Sequence, residues 1–112
     1  MKVDAARLQA SADRASEFLK SLANGHRLMI LCQLLDGERS VGDLARLLGV
    51  RASIVSQHLA LLRKDGLVTA RRDGQTHWYA ISSQPARRVL ESLYDSFCEC
   101  EPLEVEPAAA EA

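Results

Sequence analysis

Apolar positions along the chain follow two rhythms, and the place where the rhythm changes divides it. Between 5 and 22, Leu8, Ala12, Ala15, Phe18, Leu19 and Leu22 fall near three- and four-residue spacing with polar residues between them. That spacing predicts an amphipathic helix. Residues 26–35 are apolar on most sides, which predicts a buried helix, with Asn24 placed to cap its start. Asp36-Gly37 stops it, Gly37 being free to take the left-handed conformation. Ser40 and Asp43 stand three apart, as in a capping box, and open a short helix 41–48 that Gly49 ends. Ser53 is the next cap candidate, for a helix from Ile54 to about Asp65 with Val55, Leu59 and Leu62 on one stripe and Gly66 behind it.

From 67 the period is two. Residues 67–72 and 75–81 are rich in β-formers, and Asp73-Gly74 between them is a strong hairpin signal. Pro85 suits the first turn of a last helix, 86–98, in which Val89, Leu90, Leu93, Tyr94 and Phe97 return to helical spacing. The remaining stretch, 101–112, mixes Pro, Ala and Glu and reads as a disordered acidic tail behind a single domain spanning 1–100. The expected fold is therefore mainly α with one β-hairpin, in the order of a winged helix-turn-helix.

Charge sharpens this picture. The chain has 14 basic and 15 acidic residues, a net of −1. Four of the Glu lie in 101–112, whereas 46–88 holds eight Arg or Lys against two Asp. A basic middle inside a neutral chain is the footprint of a nucleic-acid face. The basic residues fall on the two elements that a winged helix-turn-helix brings to DNA, the 54–65 helix and the hairpin tip. The expected contacts in the recognition helix are Ser53, Ser56, Gln57 and His58, with Gln57 suited to adenine. Arg51, Arg63, Arg71, Arg72 and Gln75 are expected to hold phosphates. Trp78 and Tyr79 are expected to pack rather than stack on bases, since neighbours on a strand point to opposite faces.

Several function classes drop out. No apolar run reaches the roughly 18 to 20 residues of a membrane span, and the N-terminus lacks the pattern of a signal or transit peptide. Three cysteines, an odd number, do not make a secreted disulfide scaffold. A cytoplasmic location is expected. The sequence shows no Gly-rich phosphate loop, no paired-carboxylate constellation and no Cys-His dyad, so no enzyme and no cofactor are expected. A protein-interaction module on the same scaffold is the competing class, but it leaves the basic hairpin unexplained.

Four segments carry a resemblance: Leu22-Ala-Asn-Gly-His-Arg-Leu-Met-Ile-Leu31, Asp43-Leu-Ala-Arg-Leu-Leu-Gly-Val50, Ser56-Gln-His-Leu-Ala-Leu-Leu-Arg-Lys-Asp-Gly-Leu-Val68 and Arg72-Asp-Gly-Gln-Thr-His-Trp-Tyr79. Together they resemble the ArsR/SmtB family of bacterial repressors over roughly 15–98. The resemblance implies a homodimer through the first and last helices that binds double-stranded palindromic operator DNA and releases it when an inducer arrives. The thiolate metal site found in some members of that family would need cysteines where this chain has Ser40-Val41-Gly42-Asp43. The His and carboxylate site of others would need histidine in the last helix, and 86–98 has none.

Cys32 in the second helix and Cys98 at the end of the last instead match the sulfide- and persulfide-responsive branch (the SqrR/BigR type). What that likeness implies is a switch in which a persulfide or other reactive sulfur species joins the two thiols as an intrasubunit disulfide or polysulfide, and DNA is released. A direct disulfide needs Cα atoms within about 7 Å, and each inserted sulfur extends the reach by up to about 2 Å. Spacing between the two cysteines is thus expected to favour persulfide over peroxide. A second reading stays open, in which Cys32, Cys98 and Cys100 form a three-thiolate site for arsenite or another soft ion.

Overall fold

The computed structural model describes residues 1–98. The proposed acidic tail and Cys100 lie outside them. Five helices and three strands follow in order: α1 (Ala5–Leu22), α2 (Gly25–Gln33), β1 (Arg39–Ser40), α3 (Val41–Leu48), α4 (Ala52–Lys64), β2 (Val68–Asp73), β3 (Thr76–Ile81) and α5 (Gln84–Phe97). A 3₁₀ turn, Leu34–Asp36, extends α2.

Local chemistry accounts for most boundaries. The Asp4 carboxylate accepts from the Ala6 and Arg7 amides at the start of α1 (3.0 and 3.3 Å), and the Asn24 side chain accepts from the Arg27 amide in α2 (3.1 Å). The capping box of α3 is complete, the Asp43 amide donating to Ser40 Oγ and the Ser40 amide to the Asp43 carboxylate. Gly49, at φ 65°, turns the chain out of α3 in a left-handed conformation that other residues adopt at a cost. Ser83 caps α5, with Pro85 in its first turn.

Four expectations shift. Ser53 is not a cap: α4 begins at Ala52, and Arg51 at the N-cap makes no side-chain capping bond. The tight connection from Gly49 sets that start, since the Arg51 carbonyl already accepts from the Ile54 and Val55 amides (3.0 and 3.1 Å). Gly37 takes φ 142°, ψ −173°, outside the left-handed helical region but still a positive-φ conformation that residues with a side chain rarely adopt. The hairpin turn is Gly74-Gln75, because Asp73 still pairs with Thr76. Finally, α2 is buried along one side only, with Ile30 and Leu31 inside and Met29 on the surface.

The sheet order is β1-β3-β2, antiparallel throughout. Two-residue β1 anchors the hairpin to the body by pairing Arg39 with Tyr79 and Ser40 with Trp78. The core gathers Ile30, Leu31 and Leu34, then Leu44 from α3, Val55, Leu59 and Leu62 from α4, Val68 from β2, and Leu90 from α5. Tyr79 packs on its margin. Only the last turns of α1 reach this core, through Leu22 and the half-buried Phe18. Leu8, Ala12, Ala15 and Leu19, the rest of its predicted stripe, are exposed.

Candidate nucleic-acid interface and thiol groove

Packing of α4 decides which residues it offers. Val55, Leu59 and Leu62 are wholly withdrawn from solvent, so the opposite side presents Ser53, Ser56, Gln57, Ala60 and Arg63, all exposed. Arg51 is exposed at the start of the helix. His58 borders the buried stripe and is half-buried. Its Nδ1 accepts from Arg27 Nε of α2 (3.3 Å), and its ring lies 5.6 Å from that of His26. Burial first, then Arg27 and His26, lowers its pKa. The expected base contact is thus engaged with α2.

The hairpin carries its arginines on an exposed ribbon, but they have partners. Arg71 forks onto the Glu38 carboxylate, Nε and Nη2 donating at 3.1 and 2.8 Å, and holds that carboxyl below its usual range. Arg72 Nε donates to the Gly74 carbonyl (2.9 Å), which stiffens the turn. Gln75 is exposed at the tip. Glu38 was not among the expected functional residues. It lies 33 positions from Arg71, and no local pattern links the two.

The structure brings Cys32 and Cys98 together. Both line a groove of about 410 Å³ between α2 and α5, together with Leu28, Met29, Gln33, Leu93, Tyr94 and Phe97 and with Leu48 of α3. Cys32 is half-buried and Cys98 exposed, and both are free thiols. Burial, and secondarily the neighbouring Cys98, pushes the Cys32 thiol above its ordinary pKa. Chain geometry explains the meeting: α2 and α5 pack together, Cys32 sits in the last turn of α2, and Cys98 is the C-cap of α5, its amide donating to the Tyr94 carbonyl (2.8 Å). Among the described residues no three His, Cys, Asp or Glu side chains form a metal-binding group. No described helix is long and apolar enough to cross a membrane.

Comparison with known proteins agrees with this architecture. Residues 24–70 match the model of the bacterial regulatory protein arsR family. The transcriptional activator HlyU of Vibrio cholerae is 44% identical over 92 residues, covering 82% of this chain and 85% of HlyU. The structure of reduced HlyU superposes with a TM-score of 0.78 at 43% identity, over 82% of this chain and 97% of that one. The transcriptional repressor BigR of Xylella fastidiosa gives 0.80 at 32% identity, over 86% and 98%. A homodimeric winged helix-turn-helix DNA-binding domain from Mycobacterium bovis gives 0.68 at 34%, over 86% and 89%. The chain belongs to the arsR family of bacterial regulatory proteins, and it is a winged-helix, DNA-binding transcriptional regulator rather than an enzyme.

Proposed function

We propose that this regulator is a cytoplasmic repressor that binds palindromic operator DNA as a homodimer and releases it when reactive sulfur links Cys32 to Cys98. The observation that carries the reading is the shared groove, in which two free thiols from two packed helices lie close enough for one to raise the pKa of the other.

The dimer, through α1 and α5, rests on the unpartnered stripe of α1, where Leu8 and Leu19 are exposed, and on the homodimeric neighbour from Mycobacterium bovis. Two copies related by a twofold would set two α4 helices into successive major grooves, about 34 Å apart. Ser53, Ser56 and Gln57 face the bases, while Arg51 and Arg63 hold phosphates.

Exposed Cys98 meets the sulfur donor first. Its thiolate attacks the terminal sulfur of a persulfide RSSH, the S–S bond breaks, and RS⁻ leaves to be protonated as RSH. Cys98 is then itself a persulfide. The Cys32 thiolate attacks its inner sulfur and expels HS⁻, which leaves as H₂S. Two thiols are thereby oxidised to a disulfide and one sulfane sulfur is reduced. If Cys32 has also been converted to a persulfide by a second RSSH, the same displacement closes a trisulfide with loss of one H₂S, giving a longer bridge where the helices stand further apart.

α2 carries the reactive thiol near its C-terminus and, near its N-terminus, the Arg27 and His26 contacts to His58 of the recognition helix. A bridge that pulls α2 toward α5 therefore reaches the reading head through these contacts and shifts it as a unit, biasing the dimer away from its DNA-competent arrangement. Intact-mass spectrometry of the reduced protein after stoichiometric persulfide tests the chemistry: loss of two hydrogens, or a gain of sulfur less two hydrogens, is expected. Cys32→Ser should keep operator binding and lose release. Release of Cys32→Ser by persulfide at the wild-type rate overturns the reading.

A further inference from the structure

We infer that the groove selects its sulfur donor by polarity, taking persulfides whose substituent is apolar and uncharged ahead of those with a charged substituent, such as glutathione persulfide. This rests on the sulfur-switch reading above and adds to it the chemical class of the donor. The wall around the thiols consists of Leu28, Met29, Leu48, Leu93, Tyr94 and Phe97. Apart from the thiols and the Tyr94 phenol, the described lining holds no ionisable group, and Gln33 supplies the only amide side chain. Arg39 meets the lining through the Gln33 carbonyl (3.3 Å), but its charge is engaged with Asp36 at 3.8 Å.

Two consequences follow for a donor RSSH entering this space. An apolar R is withdrawn from water against leucine, methionine and phenylalanine side chains, and each methylene so buried raises affinity by about fourfold. The groove, at about 410 Å³, falls within the range of small-ligand sites, roughly 300–1,000 Å³, so a substituent of a few carbons fits. Glutathione persulfide, by contrast, brings two carboxylates and an ammonium, and the lining has no charged partner to replace their water. Its reactive sulfur can reach Cys98 only while its body stays outside, where it gains nothing from the walls. The same preference favours release of the leaving thiol RSH in its neutral form.

The test uses the full reduced protein with two probes, n-butyl persulfide and glutathione persulfide. Rates of Cys32–Cys98 bridge formation are followed by quenched intact-mass analysis, and each is divided by that donor's rate with a small free thiol to remove intrinsic reactivity. The butyl donor is expected to lead by at least about tenfold, as burial of two methylenes predicts. Gln33→Lys, which puts a cation at the groove while keeping a good helix former, should shrink that ratio severalfold toward the anionic donor. Equal normalised rates in the wild type, or a lead for glutathione persulfide, overturn the inference while leaving the switch intact. A wild-type lead that Gln33→Lys leaves unchanged also overturns it, since polarity would then not be the selector. Absence of a bridged product with either donor instead overturns the sulfur-switch reading and this inference with it.

Discussion

In α4, Val55, Leu59 and Leu62 are completely withdrawn from solvent, whereas in α1 a stripe of similar spacing leaves Leu8 58% and Leu19 54% exposed. The recognition helix is seated on its own subunit's core by three elements: α3, α2 and β2 all pack against it. α1 reaches that core only with its last turns. One stripe is completed inside the fold, and the other meets no covering surface among the described residues. A signal therefore has little scope to reshape α4 itself. It has to act on how two pre-formed reading heads stand relative to each other, and the α1–α5 side is where that relation would be set.

The contrast breaks most visibly in stability. Leu59→Ala removes a fully buried side chain and is expected to cost about 2–5 kcal/mol, with a denaturation midpoint that falls equally at all protein concentrations. Leu19→Ser on α1 removes nothing from the subunit core. Its cost should appear only as weaker dimerisation, so the shift in midpoint should shrink toward zero as the protein is diluted into the monomer range. If Leu19→Ser destabilises independently of concentration, α1 is held by its own subunit and the contrast fails. Next in size is the cap of α3: Ser40→Ala should cost about 0.5–2 kcal/mol in equilibrium unfolding, and combining it with Asp43→Ala should cost less than the sum, because the two side chains complete one box.

The wing separates two roles that look alike in sequence. Arg63 has an exposed guanidinium on the recognition helix, so Arg63→Ala should flatten the salt dependence of operator binding by about one unit of slope. Arg71 is forked onto Glu38, so Arg71→Ala should change that slope less. Glu38→Gln, which removes the carboxylate charge from the fork and leaves Asp73 at 4.0 Å as the remaining acidic partner, should steepen it. A full unit lost in Arg71→Ala with no effect of Glu38→Gln would make Arg71 an ordinary phosphate contact.

How much of this was legible in the sequence follows the range of the interactions. Helix caps at Ser40, Asn24 and Gly49 and the apolar stripe of α4 depend on residues a few positions apart, and the chain declares them. The start of α4 did not follow the residue best suited to cap it, because the turn from Gly49 fixes Arg51 at that point before Ser53 can serve. Strand β1 escaped notice because two residues carry no periodicity, and only pairing with Trp78 and Tyr79 makes it a strand. Asp73-Gly74 located the hairpin, but the turn slid one residue to keep the ladder from Val68↔Ile81 to Asp73↔Thr76 unbroken. The Glu38–Arg71 fork and the tie from Arg27 to His58 join residues 33 and 31 positions apart. Neither could be read before the fold was known. The cysteine pair stands between these cases: its members were evident, and their common apolar surroundings were not.

Those surroundings make the smallest and most discriminating prediction. Burial is the larger cause of the raised Cys32 pKa and Cys98 the smaller. A thiol whose folded pKa lies above its unfolded value, about 8.5, contributes stability that is fully present below that value and is lost as pH rises through the folded one. Unfolding of the reduced protein should therefore become easier across that alkaline window, and Cys32→Ser should remove the slope. The pH profile of Cys32 alkylation, read by peptide mass, should have its midpoint above that of a free thiol. In Cys98→Ser the midpoint should move part of the way back, since one like charge is gone and the burial stays. A complete return would make charge rather than the apolar wall the dominant influence, against the geometry of the groove. No movement at all would mean that the two sulfurs do not sense each other, and the α2–α5 side would then lack the one feature that distinguishes it as a switch.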